Sequence, residues 1–108
     1  MAEPTLLQVF GANASQTATT LTITKADLIG LTARVDNTAE SLLAAINLKA
    51  KAYLNPTNQE TNPDIQITIE ESDFQSFVLR NSRSYRQRTL SINLEQLDTV
   101  GAIDPDSY

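Results

Sequence analysis

The stretch from Asn37 to Leu54 constrains the fold more than any other part of the chain, because no other segment carries a sustained helical pattern. Asn37 is placed to accept hydrogen bonds from the open amides of a first turn. Glu40 stands three residues on, where a capping box needs it. Lys49 and Lys51 suit the negative end of a helix dipole. Asn55-Pro56 stops the helix, since a residue before proline is pushed out of the helical region.

On a helical wheel Ala39, Leu42, Leu43, Ile46, Ala50, Tyr53 and Leu54 share one face, which the pattern assigns to a sheet. The opposite side is unusually apolar: Ser41, Ala44, Ala45 and Ala52 cluster around Leu48. Two explanations stand side by side. Alanine is the best helix former and a single exposed leucine is ordinary. Alternatively, that side receives a second subunit or the chain's own N-terminal arm.

The flanking segments read as an arm and strands. In residues 1–18, Leu6, Leu7, Val9 and Phe10 form an apolar cluster, suited either to a frayed end or to a groove on this domain or a neighbour. Thr19 to Lys25 alternates Leu21 and Ile23 with threonines, a strand pattern, and Asp27 and Gly30 mark a turn. Leu31, Ala33 and Val35 suggest a short strand before the helix, and Thr57 to Pro63 a polar loop. Asp64 to Glu70 places Ile65, Ile67 and Ile69 inward, with Gln66, Thr68 and Glu70 outward. Turns at Glu71-Ser72-Asp73 and Asn81-Ser82-Arg83 separate it from strands at Phe74 to Arg80 and Ser84 to Gln96. The last carries Leu90, Ile92 and Leu94 on one face.

Short links between these three strands imply antiparallel neighbours. The pattern predicts an α+β two-layer sandwich: one main helix of about 27 Å on a mostly antiparallel four- to five-stranded sheet, with N- and C-terminal extensions. The divisions are an arm at 1–18, an α+β domain at 19–97 and a tail at 98–108.

Composition excludes several chemistries. With 108 residues there is room for one modest core. There is no cysteine, hence no disulfide or thiolate site, and no histidine, the commonest general base and metal ligand. The net charge of -5 argues against a free-standing nucleic-acid binder. No apolar run approaches a membrane span, and Met1-Ala2-Glu3-Pro4 lacks the features of a secretion signal, which points to the cytoplasm. Serines lack a histidine partner, and no nucleotide, hydrolase or metalloprotease motif occurs. The carboxylate pairs, Glu70 with Glu71 or Asp73 and Asp104 with Asp106, fall at a turn and in the tail, where no cleft is implied. Asp104-Pro105-Asp106 lacks the spacing and glycine of a calcium loop. The expectation is no catalytic residue, no cofactor and no metal.

Arg80, Arg83, Arg86 and Arg88 place half of the eight lysines and arginines within nine positions. Acids precede the cluster (Glu60, Asp64, Glu70, Glu71, Asp73) and follow it (Glu95, Asp98, Asp104, Asp106). This segregation suits contacts in which one copy's basic edge meets the next copy's acidic edge. It also suits a solvated hairpin with weak surface pairs, or an anion or nucleic-acid contact in which Tyr85 stacks.

The runs Thr20-Leu21-Thr22-Ile23-Thr24-Lys25-Ala26-Asp27-Leu28, Asn37-Thr38-Ala39-Glu40-Ser41-Leu42-Leu43, Tyr85-Arg86-Gln87-Arg88-Thr89-Leu90-Ser91-Ile92-Asn93-Leu94 and Ile103-Asp104-Pro105-Asp106 resemble small proteins of cyanobacterial genomes and their tailed phages and prophages. The resemblance spans most of the chain. It implies a virion structural protein of the neck, tail, baseplate or capsid cement, assembled in the host cytoplasm, and carries over no functional residue. Expected partners are other copies of the chain and other virion or assembly proteins. The interface candidates are Leu6, Leu7, Phe10, Leu48, Arg80, Arg83, Arg86 and Arg88. The competing expectation is a monomeric regulatory module that uses the arginine hairpin on an anion or nucleic acid.

Overall fold

The computed structural model describes residues 2–96 and 101–108. Its main helix, α2, spans Ala39–Tyr53. The N-cap is Thr38, whose hydroxyl accepts the Ser41 amide at 3.1 Å, and not Asn37 as expected. Asn37 turns backward instead: its Oδ1 accepts the Arg34 amide and its Nδ2 donates to the Thr32 carbonyl. Those two bonds hold residues 32–37 as a loop, so the strand expected at Leu31 to Val35 does not form.

The C-terminal end of α2 is closed by asparagine side chains. Four carbonyls at a helix end lack helical partners and must find others. Here the Ala50 carbonyl accepts the Leu54 amide, and Asn55 Nδ2 donates to the Lys51 and Ala52 carbonyls. Asn58 Nδ2 donates to the Tyr53 carbonyl at 2.8 Å. Asn55 also starts the next helix, α3 (Pro56–Thr61), by accepting the Asn58 amide at 2.9 Å. A segment expected to be loop is therefore helical, because Pro56 ends one helix and occupies the first position of another.

The Leu54 carbonyl, past the end of α2, accepts the Ile69 amide at 2.9 Å. Ile69 lies in strand β3 (Ile67–Glu71), which pairs antiparallel with β6 (Leu90–Leu94), Ile69 opposite Ile92. Helices α2 and α3 both pack on β3. Strand β3 thus has β6 on one edge and the end of α2 on the other. This edgewise wrapping buries Thr68, which strict alternation had placed outward. The core is Ala50, Leu54, Ile65 and Ile69, with Val9, Tyr53, Ile67 and Leu90 packed around it. The buried side of α2 is rotated from the expected one: Ala45 is buried, whereas Leu43 stands out into solvent. Residues Ile29 to Leu31 lie beside Ala44 and Ala45, which accounts for the shift.

The N-terminal arm is ordered against its own domain. Helix α1 (Leu6–Phe10) carries a complete capping box between Thr5 and Gln8 and packs on α2. Lys49 Nζ donates to the Gln8 carbonyl at 3.1 Å. The chain then turns at Gly11, whose φ is 121°. A β-carbon there would meet Asp27 Cβ at 2.7 Å, so only glycine fits. Asp27, in a 3-10 turn at Lys25–Asp27, accepts the Asn13 amide at 2.9 Å and bonds from its Nδ2. Strands β1 (Ser15–Gln16) and β2 (Leu21–Thr22) form a two-residue-deep hairpin, shorter than the strand expected at Thr19 to Lys25. This hairpin straddles the expected arm boundary at residue 18.

The class is α+β, one main helix with antiparallel strands, as the sequence implies. Among the described residues, however, the strands lie in three two-stranded sheets, with β4 (Ser76–Arg80) paired to β5 (Arg83–Gln87). The long strand expected from Ser84 to Gln96 is two, β5 and β6, and the expected tight turn between β3 and β4 is absent because those strands do not pair. Instead β3–β6 and β4–β5 follow each other along one ribbon. The Ser72 amide donates to the Thr89 carbonyl, and pairing resumes at Ser76 with Gln87. Asp73, Phe74 and Gln75 therefore stand opposite Arg88 alone, a bulge that bends the ribbon. Its far end extends from the core: the radius of gyration is 16.2 Å, against about 13 Å for a compact domain of this length.

Residues at the C-terminal end return to the start of β3, where Gln66, just before the strand, donates from Nε2 to the Ser107 carbonyl. The expected boundary between 97 and 98 lies outside the described residues. Among the described residues no helix is long and apolar enough to cross a membrane.

Because Asn55 serves two helices, Asn55→Ala is expected to cost about 2 kcal/mol and Thr38→Ala about 1 kcal/mol. Urea unfolding followed by circular dichroism measures both. Equal losses would contradict the double-capping role of Asn55.

Candidate protein-protein interface

The outer hairpin β4–β5 is closed by a two-residue turn. Asn81 and Ser82 both have positive φ, 53° and 62°, the geometry that matches strand twist. Pairing Phe77 with Arg86 and Leu79 with Ser84 places these four side chains on one face. Val78, Tyr85, Arg80 and Arg83 lie on the other. Both faces are thus partly apolar, and the core covers neither: Phe77 is 65% exposed and Leu79 82%. A free two-stranded hairpin is marginal in water, so this one has surface left for a partner.

The arginines organise the hairpin through its rings. The Arg80 guanidinium carbon lies 4.6 Å from the centre of the Tyr85 ring, and that of Arg86 lies 5.2 Å from Phe77. Arg86 Nη1 also donates to Gln75 Oε1 at 2.7 Å. Each cation–ring contact is worth about 0.5–1 kcal/mol at such exposed sites. Arg80 and Arg83 are cross-strand partners beside the turn, a like-charge pairing. Lying over Tyr85 directs the Arg80 charge along the strand. The side chains of Arg83 and Arg88 make no hydrogen bond or ring contact among the described residues.

The other candidates fall at different distances from this hairpin. Leu6 and Phe10 are half-buried within their own domain, whereas Leu7 is exposed. Leu48 remains 48% exposed even though α1 packs on the same helix. It lines two shallow depressions. One, of about 190 Å³, includes Ile29, Gly30 and Leu31; the other, of about 230 Å³, includes Ala44, Glu71, Arg88 and Leu90. Leu48 and Arg88 therefore line the same depression at the bend of the ribbon. Arg80 and Arg83 lie at its tip.

Phe74, Ile92 and Leu94 are further exposed apolar residues, outside the interface candidates that the sequence indicates. The available signal was two-faced apolarity: Phe77 and Leu79 alternate with Val78, which a strand with one buried face would not do.

Three of the carboxylates that the sequence pairs or segregates serve the frame. Glu70 accepts from Asn93, Glu95 from Gln59 at 2.6 Å, and Asp104 caps a 3-10 turn at Pro105–Ser107. Among the described residues no group of three acids, histidines or cysteines could hold a metal ion.

Comparison with known proteins gives no match to a family model, to a curated protein or to a solved structure.

Since the hairpin lies outside the core, Phe77→Ser combined with Leu79→Ser should change stability by no more than about 1 kcal/mol. Ile69→Ala should cost about 2–5 kcal/mol. Thermal unfolding of the two variants makes the comparison. A hairpin variant as damaged as the core variant would mean that the hairpin is part of the core.

Proposed function

We propose that this is a non-enzymatic structural protein that acts in multiple copies through protein–protein contacts, as a component of a tailed-phage virion. The observation that carries the reading is the β4–β5 hairpin: a ribbon with apolar side chains on both faces, extending from a small core. Folded monomers seldom leave Phe77, Leu79 and Phe74 uncovered together without a use for them. Arginines and aromatic rings are also the residues most often found at the energetic centres of interfaces. The resemblance to proteins of cyanobacterial phages and prophages supplies the setting: neck, tail, baseplate or capsid cement, assembled in the host cytoplasm. A chain working outside a virion would be cytoplasmic.

The side chains of Arg83 and Arg88, with no partner among the described residues, keep an anion-binding module as the second reading. Two facts weigh against it. The chain carries a net charge of -5, and Arg80 and Arg86 already lie on rings.

Mass spectrometry of purified particles from a lysate of the producing host tests the assignment. The reading expects the chain in the particle at a fixed copy number, and its loss from the particle with Phe77→Ser plus Leu79→Ser. Absence from particles contradicts it. Binding to DNA or RNA that falls steeply with salt and with Arg86→Ala plus Arg88→Ala would establish the second reading instead.

A further inference from the structure

We infer that two copies of this chain join through the outer edge of β6, antiparallel and centred on Ile92. The inference rests on the multi-copy reading above and names the contact between copies.

The ladder phase decides which groups are available. The Ser72 amide bonds Thr89 and the Glu95 amide bonds Gln66, which fixes the hydrogen-bonded pairs of β3 and β6. By the alternation of antiparallel ladders, Ser91 and Asn93 then point their backbone groups at β3. Leu90, Ile92 and Leu94 point theirs away. Ile69, opposite Ile92, behaves in the same manner and sends its amide outward to Leu54. The outward groups of Leu90, Ile92 and Leu94 have no hydrogen-bond partner among the described residues.

The side chains say what the edge fits. Leu90, Ile92 and Leu94 share a face with Ile67 and Ile69, so the core face runs on to the bare edge. Ile92 is 47% and Leu94 40% exposed there. Natural edge strands are usually blunted by proline, lysine or an inward charge. Residues 90–94 contain none of these.

The strand is also matched to itself. Leu90-Ser91-Ile92-Asn93-Leu94 has the same pattern read in either direction. A two-fold axis at Ile92 sets Ile92 against Ile92, Leu90 of one copy against Leu94 of the other, and Ser91 against Asn93. The three outward-facing pairs close about six backbone hydrogen bonds, two per pair. Charge agrees with this direction. Arg86 and Arg88 precede the strand and Glu95 follows it. Antiparallel pairing brings the basic end of one copy to the acidic end of the other, whereas parallel pairing would bring like ends together. The product is a four-stranded antiparallel sheet, β3–β6–β6–β3, with an α2 helix from each copy on the same face. It is the two-layer arrangement that the single chain lacks.

The chain has no cysteine, so one introduced cysteine reports the axis cleanly. Residues facing each other across a bonded pair have Cα atoms about 5.5 Å apart, within disulfide range. Ile92→Cys should form a disulfide-linked dimer on mild oxidation, and Ser91→Cys should not. Light scattering should give twice the chain mass for the wild type. Ile92→Lys should lose the dimer while keeping its circular dichroism spectrum, and Phe77→Ser plus Leu79→Ser should keep the dimer. A wild-type dimer that survives Ile92→Lys, together with no crosslink from the Ile92→Cys variant, overturns the β6 contact and leaves the multi-copy reading standing. A wild-type monomer at high concentration that still enters particles also overturns the contact alone. A chain that neither self-associates nor enters particles overturns both.

Discussion

The hydrogen bond from the Ile69 amide to the Leu54 carbonyl joins the one long helix to the one buried strand, and most of the structure depends on it. It is available only because Asn55 and Asn58 satisfy the carbonyls of the last turn of α2 with their side chains. Leu54 is then free to serve β3. That places Ala50 and Leu54 against Ile65 and Ile69, and the core is made. Helix α1 adds Val9 to it, held by the Lys49 bond to Gln8. The core is small for 108 residues, and the structure shows where the remaining apolar side chains went. Phe74, Phe77, Leu79, Ile92 and Leu94 lie on the bent ribbon, and Leu7, Leu43, Leu48 and the loop residues Ile29 and Val35 lie exposed elsewhere.

Wrapping β3 at its edge, instead of covering a broad sheet, has a cost in coverage. A helix laid across the ribbon could have shielded Ile92 and Leu94. The observed placement leaves them half open. The bulge opposite Arg88 then turns β4 and β5 away from the core, so Phe77 lies against the Arg86 guanidinium and both Phe77 and Leu79 stay exposed. A monomer of this form retains two strand surfaces that another chain can cover. The account of function follows from that asymmetry between a modest core and a large uncovered ribbon.

The sequence was most legible where local chemistry decides. The helix over Ala39–Tyr53, the strand around Ile67 and Ile69 and the turn at Asn81-Ser82 all follow from periodicity and turn residues. It misled where one residue had two roles open to it. Asn37 and Thr38 are both good N-caps, and only the loop at 32–37 assigns Asn37 elsewhere. Pro56 reads equally as the end of α2 and the start of α3. Leu31, Ala33 and Val35 alternate like a strand, yet among the described residues no strand pairs with them. The break between β5 and β6 had no signal, because a bulge is set by register across strands that are distant in sequence. Of the interface candidates, the arginines were visible as a cluster, but their rings were not. Whether Arg80 meets Tyr85 depends on hairpin pairing, which composition cannot supply.

The central claim is that the uncovered ribbon is covered by other chains in the working state. Hydrogen exchange of the backbone amides, followed by NMR from micromolar to millimolar protein, tests it most directly. The outward amides of Leu90, Ile92 and Leu94 should exchange rapidly when dilute and become protected as concentration rises, while the Ile69 amide stays slow throughout. Rapid exchange of Ile92 at every concentration, or equal protection when dilute, would contradict the account.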